Sequence, residues 1–337
     1  MAELEAFALS LGEKAFRGRQ LFSWIYGKKA RSFEDMTDMS RPLRSMLQQQ
    51  ACIGALQVAG KFTSPRSGTV KYLFSLQDQR YIESVLIQES GRRTLCLSCQ
   101  SGCALNCDFC ATGRLGFQRH LTVPEIVDQV LYAEKDVQAE LTNVVFMGMG
   151  EPFLNYDNVI AAAKLINHPD GIAIGHRRIV ISTAGIVPAI RRYTDENQPF
   201  RLAVSLNSPF QEQREQMMPV GVKWNVEVLM AAVKYYAHKS GQRPTFEYVM
   251  MAERNMSQRH AMALKKLVKD IPCKVNLIPF NATAGGYKRP GHKDIVRFAE
   301  WLSPLSAPVS VRWSKGDDVN AACGQLAGQR IALHSTS

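Results

Sequence analysis

The stretch Thr94-Leu-Cys-Leu-Ser-Cys-Gln-Ser-Gly-Cys103-Ala-Leu-Asn-Cys107-Asp-Phe-Cys110 combines a predicted strand with a cluster of cysteines. Its β-prone start predicts a strand over Thr94–Gln100. Three thiols with the spacing CxxxCxxC follow on one tight loop, where they can converge on one metal centre. They are one thiolate short of the four that close a [4Fe–4S] cluster or a structural zinc site. The fourth position is therefore open for a small molecule, or it belongs to a distant fourth ligand of a zinc ion.

Beyond the cysteine loop, apolar β-rich runs alternate with amphipathic helical patterns. The helical patterns include Val123–Val137, Val226–Lys239 and Ser257–Lys269. The predicted strands after the first are Asn143–Gly148, Arg178–Thr183, Leu202–Leu206, Thr245–Met250 and Val275–Pro279. Six strand–helix repeats predict a parallel sheet that right-handed crossovers curl into a partial or full βα barrel. Because chemistry in such barrels lies at the carboxyl ends of the strands, we expect the functional motifs to meet there.

Small and polar residues follow four of these predicted strands. In Met147-Gly-Met-Gly150-Glu151-Pro152 the glycines let a ligand approach the backbone, and Glu151 can accept a hydrogen bond from a cationic group. A glycine turn with a solvated carboxylate is the alternative interpretation. The other strand ends could hold a ribose or an adenine edge, although such residues are also common as helix caps and in turns. These ends carry Ser182-Thr183, Ser205-Leu206-Asn207 and Pro279-Phe280-Asn281.

The N-terminal part of the chain has a different pattern. Leu4, Phe7, Ala8 and Leu11 recur at helical spacing, and a second helical pattern follows Gly12. Short alternating runs over 69–76 and 80–87 then predict a β-hairpin or meander. We therefore expect a helical domain over 1–55, a β connector over 56–92, and the barrel with its C-terminal segment over 93–337. The basic residues of the helical domain make it the candidate RNA-binding domain.

The composition favours a polyanionic partner and a cytoplasmic location. The 337 residues carry a formal net charge of +11, and fixed positive charge attracts phosphates. No run approaches the roughly 20 apolar residues of a membrane span, and the start of the chain does not resemble a signal peptide. The basic side chains of the helical unit either face phosphate or form a solvated polar face; they are Lys14, Arg17, Arg19, Lys28, Lys29 and Arg31.

The eight cysteines point to a metal or redox site rather than to a disulfide framework. Five of them lie between Cys96 and Cys110. Another stands near the C-terminus, in Lys315-Gly-Asp-Asp-Val-Asn-Ala-Ala-Cys323-Gly-Gln-Leu-Ala-Gly. An isolated free thiol in such a setting is usually a small buried hydrophobe.

With this C-terminal segment, the cysteine loop and Leu11-Gly-Glu-Lys-Ala-Phe-Arg, the chain resembles the RlmN/Cfr family of radical S-adenosylmethionine (SAM) RNA adenosine methyltransferases. The resemblance covers nearly the whole length and is closest to RlmN. It implies a partial (βα)6 barrel of the radical SAM type, with one [4Fe–4S] cluster on Cys103, Cys107 and Cys110 whose open iron holds SAM. It also implies SAM contacts for Gly150, Glu151, Ser182, Ser205, Leu206, Asn207 and Asn281. The family more often has His at the position of Asn207.

The same resemblance assigns roles to two thiols outside the cysteine loop. Carbon 2 of adenine is not nucleophilic, so it cannot take a methyl group from SAM by displacement, whereas a carbon radical can add to it. Cys323 is implied to take a methyl from one SAM. A 5′-deoxyadenosyl radical from a second SAM then abstracts hydrogen from it, and the methylene radical attacks adenine. Cys96 is implied to resolve the thioether crosslink by forming a disulfide with Cys323.

Glu83 is implied to be the base that accepts the proton from the adenine carbon, although a surface glutamate in a β connector is the alternative. The remaining cysteines have no assigned role in catalysis. Cys99 stands where the family more often has Ser, and Cys52 and Cys273 are interpreted as structural.

The resemblance therefore implies a methyltransferase that forms 2-methyladenosine in 23S rRNA and in some tRNAs. A monomer that receives electrons from flavodoxin or ferredoxin is expected. A Cfr-like enzyme that methylates carbon 8 is the nearest alternative. A non-catalytic RNA-binding protein with a structural metal does not explain Cys96 and Cys323. A radical SAM enzyme on a small metabolite does not explain the segment around Cys323.

Overall fold

The computed structural model describes residues 1–283, 286–303, 305 and 307–327. The end of the predicted barrel unit, 328–337, lies outside the described residues. In the N-terminal unit, α1 (Ala2–Ser10) packs against α2 (Phe16–Phe22), which continues as a π-helical turn over Ser23–Gly27. Helix α3 (Arg41–Gln50) begins after Ser40, whose hydroxyl accepts the N–H of Leu43. These helices confirm the predicted helical N-terminus.

The N-terminal helices enclose an apolar core of their own. Its buried residues are Leu21, Ala30, Phe33, Met36, Met39, Leu43 and Leu47. The unit therefore buries its helices largely against one another.

The rest of the chain is organised around a sheet of ten strands. Strands β1 (Gln57–Thr63), β2 (Val70–Ser75), β3 (Tyr81–Glu89) and β4 (Arg92–Cys96) pair antiparallel in sequence order. A separate two-stranded hairpin, β5 (Gln100–Gly102) with β6 (Phe117–His120), flanks the cysteine loop. From β4 onward the large sheet is parallel. Its further strands are β7 (Asn143–Phe146), β8 (Ile179–Thr183), β9 (Arg201–Ser205), β10 (Thr245–Met250), β11 (Lys274–Pro279) and β12 (Val309–Val311).

Helices connect each neighbouring pair of parallel strands. They are α4 (Ala111–Leu115), α5 (Val123–Val137), α6 (Tyr156–Asn167), α7 (Val187–Asp195), α8 (Gln211–Met217), α9 (Val220–Lys223), α10 (Val226–Ser240), α11 (Gln258–Val268) and α12 (His292–Leu302). Short 3-10 turns occur at Phe33–Asp35, Pro152–Leu154, His176–Arg178 and Asp317–Val319. The two edges of the sheet, β1 and β12, do not pair with each other, so the expected partial barrel is confirmed.

Helix α5 illustrates how local sequence determines these elements. The Thr122 hydroxyl accepts the N–H of Glu125, and the Glu125 carboxylate accepts the N–H of Thr122, which completes a capping box. The apolar residues Ile126, Val127 and Val130 recur at helical spacing and are buried in the barrel core. The predicted bounds of this helix are the observed ones.

The predicted first strand, Thr94–Gln100, was wrong in its extent. Strand β4 ends at Cys96, and irregular backbone bonds continue beyond it: the N–H of Leu97 donates to the Val145 carbonyl and the N–H of Cys99 to the Met149 carbonyl. At Ser98 the pairing is interrupted, because its N–H donates to the Gln129 side chain and its hydroxyl accepts the N–H of Met149. The hairpin β5–β6 and the seventh parallel strand, β12, were not predicted. Both consist of runs of three or four residues, which are too short to show a periodicity.

Ion pairs join the N-terminal unit to the barrel through α5. The Lys29 ammonium lies 3.0 Å from a Glu134 carboxylate oxygen, and the Arg31 guanidinium pairs with Asp128. Asp128 also accepts the backbone N–H groups of Ala55 and Leu56. Both alternatives predicted for the basic residues, a phosphate-binding face and a solvated face, are therefore wrong for Lys29 and Arg31. These two residues pair with acidic side chains of α5 instead. Among the described residues, no helix is long and apolar enough to span a bilayer.

Candidate active site

A cavity lies at the carboxyl ends of the parallel strands, where Phe146, Thr183, Ser205 and Val249 stand at or near the ends of four of them. This is the position expected for the functional motifs. The structure brings most of the proposed site residues together in its wall. They are Cys103, Cys107, Cys110, Gly150, Glu151, Ser182, Ser205, Asn207, Asn281 and Cys323.

The cysteine loop is held in place by backbone contacts from two other segments. The N–H of Asp108 donates to the carbonyl of Met217 at the end of α8, at 3.1 Å. The N–H of Ala111 donates to the carbonyl of Gly324 in the C-terminal segment, at 2.8 Å. Burial raises the pKa of the Cys103 thiol to about 12 and raises that of Cys107 as well. A metal centre that binds these sulfurs must therefore displace their protons.

The donor set of this loop fits an iron–sulfur cluster better than a single ion. Within 1–283, 286–303, 305 and 307–327, no group of three His, Cys, Asp or Glu side chains is arranged to hold one metal ion. A [4Fe–4S] cluster binds each thiolate to a different iron, so its cysteines need not converge on one point. Cys103, Cys107 and Cys110 line the same cavity, which matches that requirement.

The two glycines before Glu151 are needed because other parts of the protein pack closely against this turn. A Cβ on Gly148 would lie 2.6 Å from the Leu97 carbonyl oxygen, and a Cβ on Gly150 would lie 2.5 Å from the Gln100 side chain. Gly150 also has a φ of +99°, which strongly favours glycine. Close packing of this turn against the segment after β4 therefore accounts for both glycines without a ligand.

Glu151 is buried in the cavity wall and already accepts two backbone hydrogen bonds. Its oxygens accept the N–H of Phe153 at 3.0 Å and that of Ala184 at 2.8 Å. Burial raises its pKa to about 7, above the ordinary value of 4.5. The backbone bonds fix the carboxyl group in the cavity, where a cationic ligand would favour its charged form.

The other strand-end residues are divided between the cavity and the protein interior. Asn207 has a φ of +60°, and its side-chain oxygen accepts the N–H of Val249 at 2.9 Å. Its role is therefore partly structural. Leu206 is fully buried and is not among the described residues that line the cavity. Its N–H donates to the Glu247 carbonyl, so Leu206 supports the wall from the core.

The C-terminal segment around Cys323 lies against the cysteine loop and the end of β11. Asn281 donates from its side-chain amide to the Cys323 carbonyl at 3.3 Å. The Thr112 hydroxyl donates to the Leu326 carbonyl at 2.6 Å. These contacts bring a thiol that is distant in sequence into the same cavity as the three cysteines of the loop.

Cys96 is buried at the end of β4, within range of the charge of Cys323. The pKa of the Cys96 thiol is raised to about 12, chiefly by burial and to a smaller extent by the charge of Cys323. The half-buried Arg312 guanidinium has a raised pKa, chiefly because of the charge of Cys323 and in part because of Glu247 and Cys96. Both thiols are free in this structure. The two cysteines therefore share one cationic neighbour.

Glu83 is buried, so the surface interpretation of this residue was wrong. One carboxylate oxygen lies 3.1 Å from the Lys71 ammonium, and the other accepts the N–H of Ala327 at 2.9 Å. Both side chains are 3% exposed. Glu83 thus binds the C-terminal segment, and it is not among the described residues that line the cavity.

Sequence reasoning missed several charged residues around the cavity. Lys71 and Glu247 interrupt apolar strands, a signal that could have marked them as buried. Arg312 follows a strand too short to be recognised, and Arg214 lies on a polar helix that gave no signal. Of the unassigned cysteines, Cys99 and Cys273 are buried and Cys52 is exposed.

Comparisons with known proteins agree with this geometry. Residues 1–53 match the family described as the ribosomal RNA large subunit methyltransferase N-terminal domain, and residues 97–265 match the radical SAM superfamily. The chain is 44% identical to the dual-specificity RNA methyltransferase RlmN of Syntrophobacter fumaroxidans, over 98% of this chain and 96% of that protein. It is 43% identical to the corresponding protein of Geobacter sulfurreducens, over 98% and 91% of the two chains. A radical SAM methyltransferase from Sphaerobacter thermophilus superposes with a TM-score of 0.94, at 38% identity over 97% of each chain.

Proposed function

The chain belongs to the RlmN family of radical SAM RNA methyltransferases, and from this membership we propose that it methylates carbon 2 of an adenosine in RNA. The proposed substrates are 23S rRNA and tRNA, in keeping with the dual specificity of its relatives. The observation that carries the proposal is the meeting of three loop cysteines and the remote Cys323 in one cavity. A thiol carrier explains why this remote cysteine shares the cavity with the three loop cysteines.

Cys103, Cys107 and Cys110 would hold the [4Fe–4S] cluster, which when bound supplies the electron that cleaves SAM to a carbon radical. The SAM molecule would lie against Glu151 and Gly150 at the end of β7. Further contacts would come from Ser182, Ser205, Asn207 and Asn281, with Leu206 behind them. Glu151 is held by two backbone N–H groups and is therefore oriented before any ligand enters.

Cys323 would carry the methyl group, because it lies in the cavity on a segment fixed by Asn281 and Thr112. Arg312 lies near both Cys323 and Cys96, where a guanidinium is a suitable counter-ion for a thiolate. After the carbon of the methyl group has bonded to adenine, the Cys96 thiolate would attack the Cys323 sulfur. That attack would form a disulfide and break the bond between the Cys323 sulfur and the carbon, which would take up a proton and leave as the methyl group of the base.

Glu83 would accept the proton from the adenine carbon. Its ion pair with Lys71 fixes the orientation of the carboxylate. Its bond to the N–H of Ala327 also keeps it beside the carrier segment. Some movement of this segment would be needed to bring the base to the cavity.

The N-terminal helices would contribute to RNA binding, with their exposed basic residues Lys14, Arg19 and Arg41 as phosphate contacts. The family match over residues 1–53 supports this assignment. The protein would act as a monomer in the cytoplasm and receive electrons from a flavodoxin or ferredoxin. The carbon-8 alternative has no observation in its favour here.

Nucleoside mass spectrometry of RNA from a deletion strain tests the proposal. We expect 2-methyladenosine to disappear from 23S rRNA and tRNA and to return when the wild-type gene is restored, but not with Cys323→Ala. Loss of 8-methyladenosine would instead support the carbon-8 reaction. An unchanged content of both nucleosides would contradict the proposal.

A further inference from the structure

The Arg214 side chain of α8 is an unusual buried cation. It is 0% exposed, and its Nη2 donates to the Ala184 carbonyl oxygen at 2.5 Å. Its Nε and Nη1 groups are buried and have no hydrogen-bond partner within the part of the chain that the structure describes. A buried guanidinium that lacks a counter-charge is strongly destabilising. The position of Arg214 therefore calls for a group that compensates its charge.

The protein leaves room for this guanidinium next to the cysteine loop. A Cβ on Gly221 would lie 3.0 Å from Nη1, so a larger residue there would crowd the guanidinium. The end of α8 is joined to the loop by the bond from the N–H of Asp108 to the carbonyl of Met217. Cys107 is the titratable group whose charge acts on Arg214. The helix that carries the guanidinium therefore contacts the cysteine loop at the residue that directly follows Cys107, one of the three proposed cluster ligands.

Ala184 links Arg214 to the proposed SAM site as well. Its carbonyl accepts from Arg214, while its N–H donates to Glu151 at 2.8 Å. A purely structural role for Arg214 would explain this single hydrogen bond to Ala184. It would not account for the two N–H-bearing nitrogens that remain without a partner.

We propose that Arg214 is a positioning residue whose positive charge compensates the anionic cluster bound through Cys107 and raises its reduction potential. The inference rests on the iron–sulfur centre of the proposed function. A [4Fe–4S] core with three thiolate ligands carries a net negative charge. One electron from an external donor makes that charge more negative. A fixed cation at short range in a buried site stabilises the reduced state more than the oxidised state. Arg214 therefore makes the electron transfer that starts the reaction easier.

The test compares Arg214→Met, which removes the charge, with Arg214→Lys, which keeps it. Each protein is reconstituted anaerobically with iron and sulfide, its iron content is measured, and its midpoint potential is determined by a dithionite titration followed by electron paramagnetic resonance. We expect reduction of the Met variant to be about tenfold less favourable, which corresponds to about 59 mV for one electron. The Lys variant should stay near the wild type. Arg177→Met, an exposed arginine at the amino end of β8, is the matched control and should not shift the potential.

Each outcome of this comparison is informative. A Met variant with a full cluster and the wild-type potential would overturn the inference. Loss of the cluster from the Met variant alone, with native circular dichroism, would also support it. The Lys variant, which keeps the positive charge, would then keep the cluster, so the charge would be what the cluster requires. Loss from both variants would overturn it and assign Arg214 a purely structural role. A wild-type protein that takes up no cluster would contradict the proposed function itself.

Discussion

Two buried carboxyl groups, Glu151 and Glu247, lie in the wall of the cavity. Burial raises the pKa of each to about 7, compared with 4.5 for an ordinary glutamate. They differ in their partners. Glu151 accepts two backbone bonds, whereas the Oε2 atom of Glu247 is buried and has no hydrogen-bond partner among the described residues. Glu247 is therefore the more costly of the two to ionise.

The stability of the cluster-free protein should depend on pH through Glu247. The unfolded chain loses this proton near pH 4.5 and the folded chain near pH 7, so ionisation of Glu247 lowers the free energy of unfolding as pH rises between these values. Glu247→Gln cannot ionise. We expect it to be more stable than the wild type by about 2 kcal/mol at pH 8, with little difference at pH 5. Urea denaturation at both pH values measures this, and Glu300→Gln on the exposed face of α12 is the control. An equal effect of Glu247→Gln at both pH values would show that the carboxyl group does not titrate as described.

The three loop cysteines should be individually required for the cluster. Alanine at Cys103, Cys107 or Cys110 removes one of three protein ligands, so we expect loss of the visible iron–sulfur absorbance and of SAM cleavage. Cys273→Ala is the matched control, because Cys273 is buried just before β11, at the opposite end of the strand from the cavity. Retention of a full cluster after all three loop cysteines are replaced would refute the assignment.

At the level of the elements, sequence periodicity was sufficient where a helix or strand was long and regular. Strand β10 and helix α5 have the predicted bounds. Strand β4 was predicted too long because its pairing becomes irregular at Ser98, whose N–H and hydroxyl bond to Gln129, Glu83 and Met149 from distant parts of the chain. Such tertiary contacts leave no trace in a local pattern. The same holds for the buried ion pair of Glu83 with Lys71.

The interface between the N-terminal unit and α5 gives a prediction at this scale. Arg31→Ala would leave Asp128, whose side chain is 3% exposed, without its ionic partner. We expect a loss of about 2 kcal/mol in the free energy of unfolding. Gln49→Ala, at an exposed residue of the same unit, should cost little and serves as the control. If Arg31→Ala weakened RNA binding without lowering stability, Arg31 would contact RNA rather than α5.

At the level of the whole molecule, the C-terminal segment connects the parts of the proposed active site. It contacts the cysteine loop through Ala111, the end of β11 through Asn281, and the antiparallel strands through Glu83. The motif around Cys323 was recognisable in the sequence. Its neighbours Arg312 and Lys71 were not, because they come from distant strands that meet only in the folded chain. The carrier mechanism requires Cys96 to lie near Cys323, because the Cys96 sulfur must attack the Cys323 sulfur.

The fate of RNA with two cysteine variants tests this carrier mechanism most directly. Wild-type protein, Cys96→Ala and Cys323→Ala are each incubated with SAM, a reductant and substrate RNA, then separated under denaturing conditions. We predict that Cys96→Ala migrates as a covalent protein–RNA species that resists reducing agents, since its link is a thioether. Cys323→Ala should give neither crosslinked nor methylated RNA. Free, unmodified RNA with Cys96→Ala, or normal turnover with Cys323→Ala, would contradict the account.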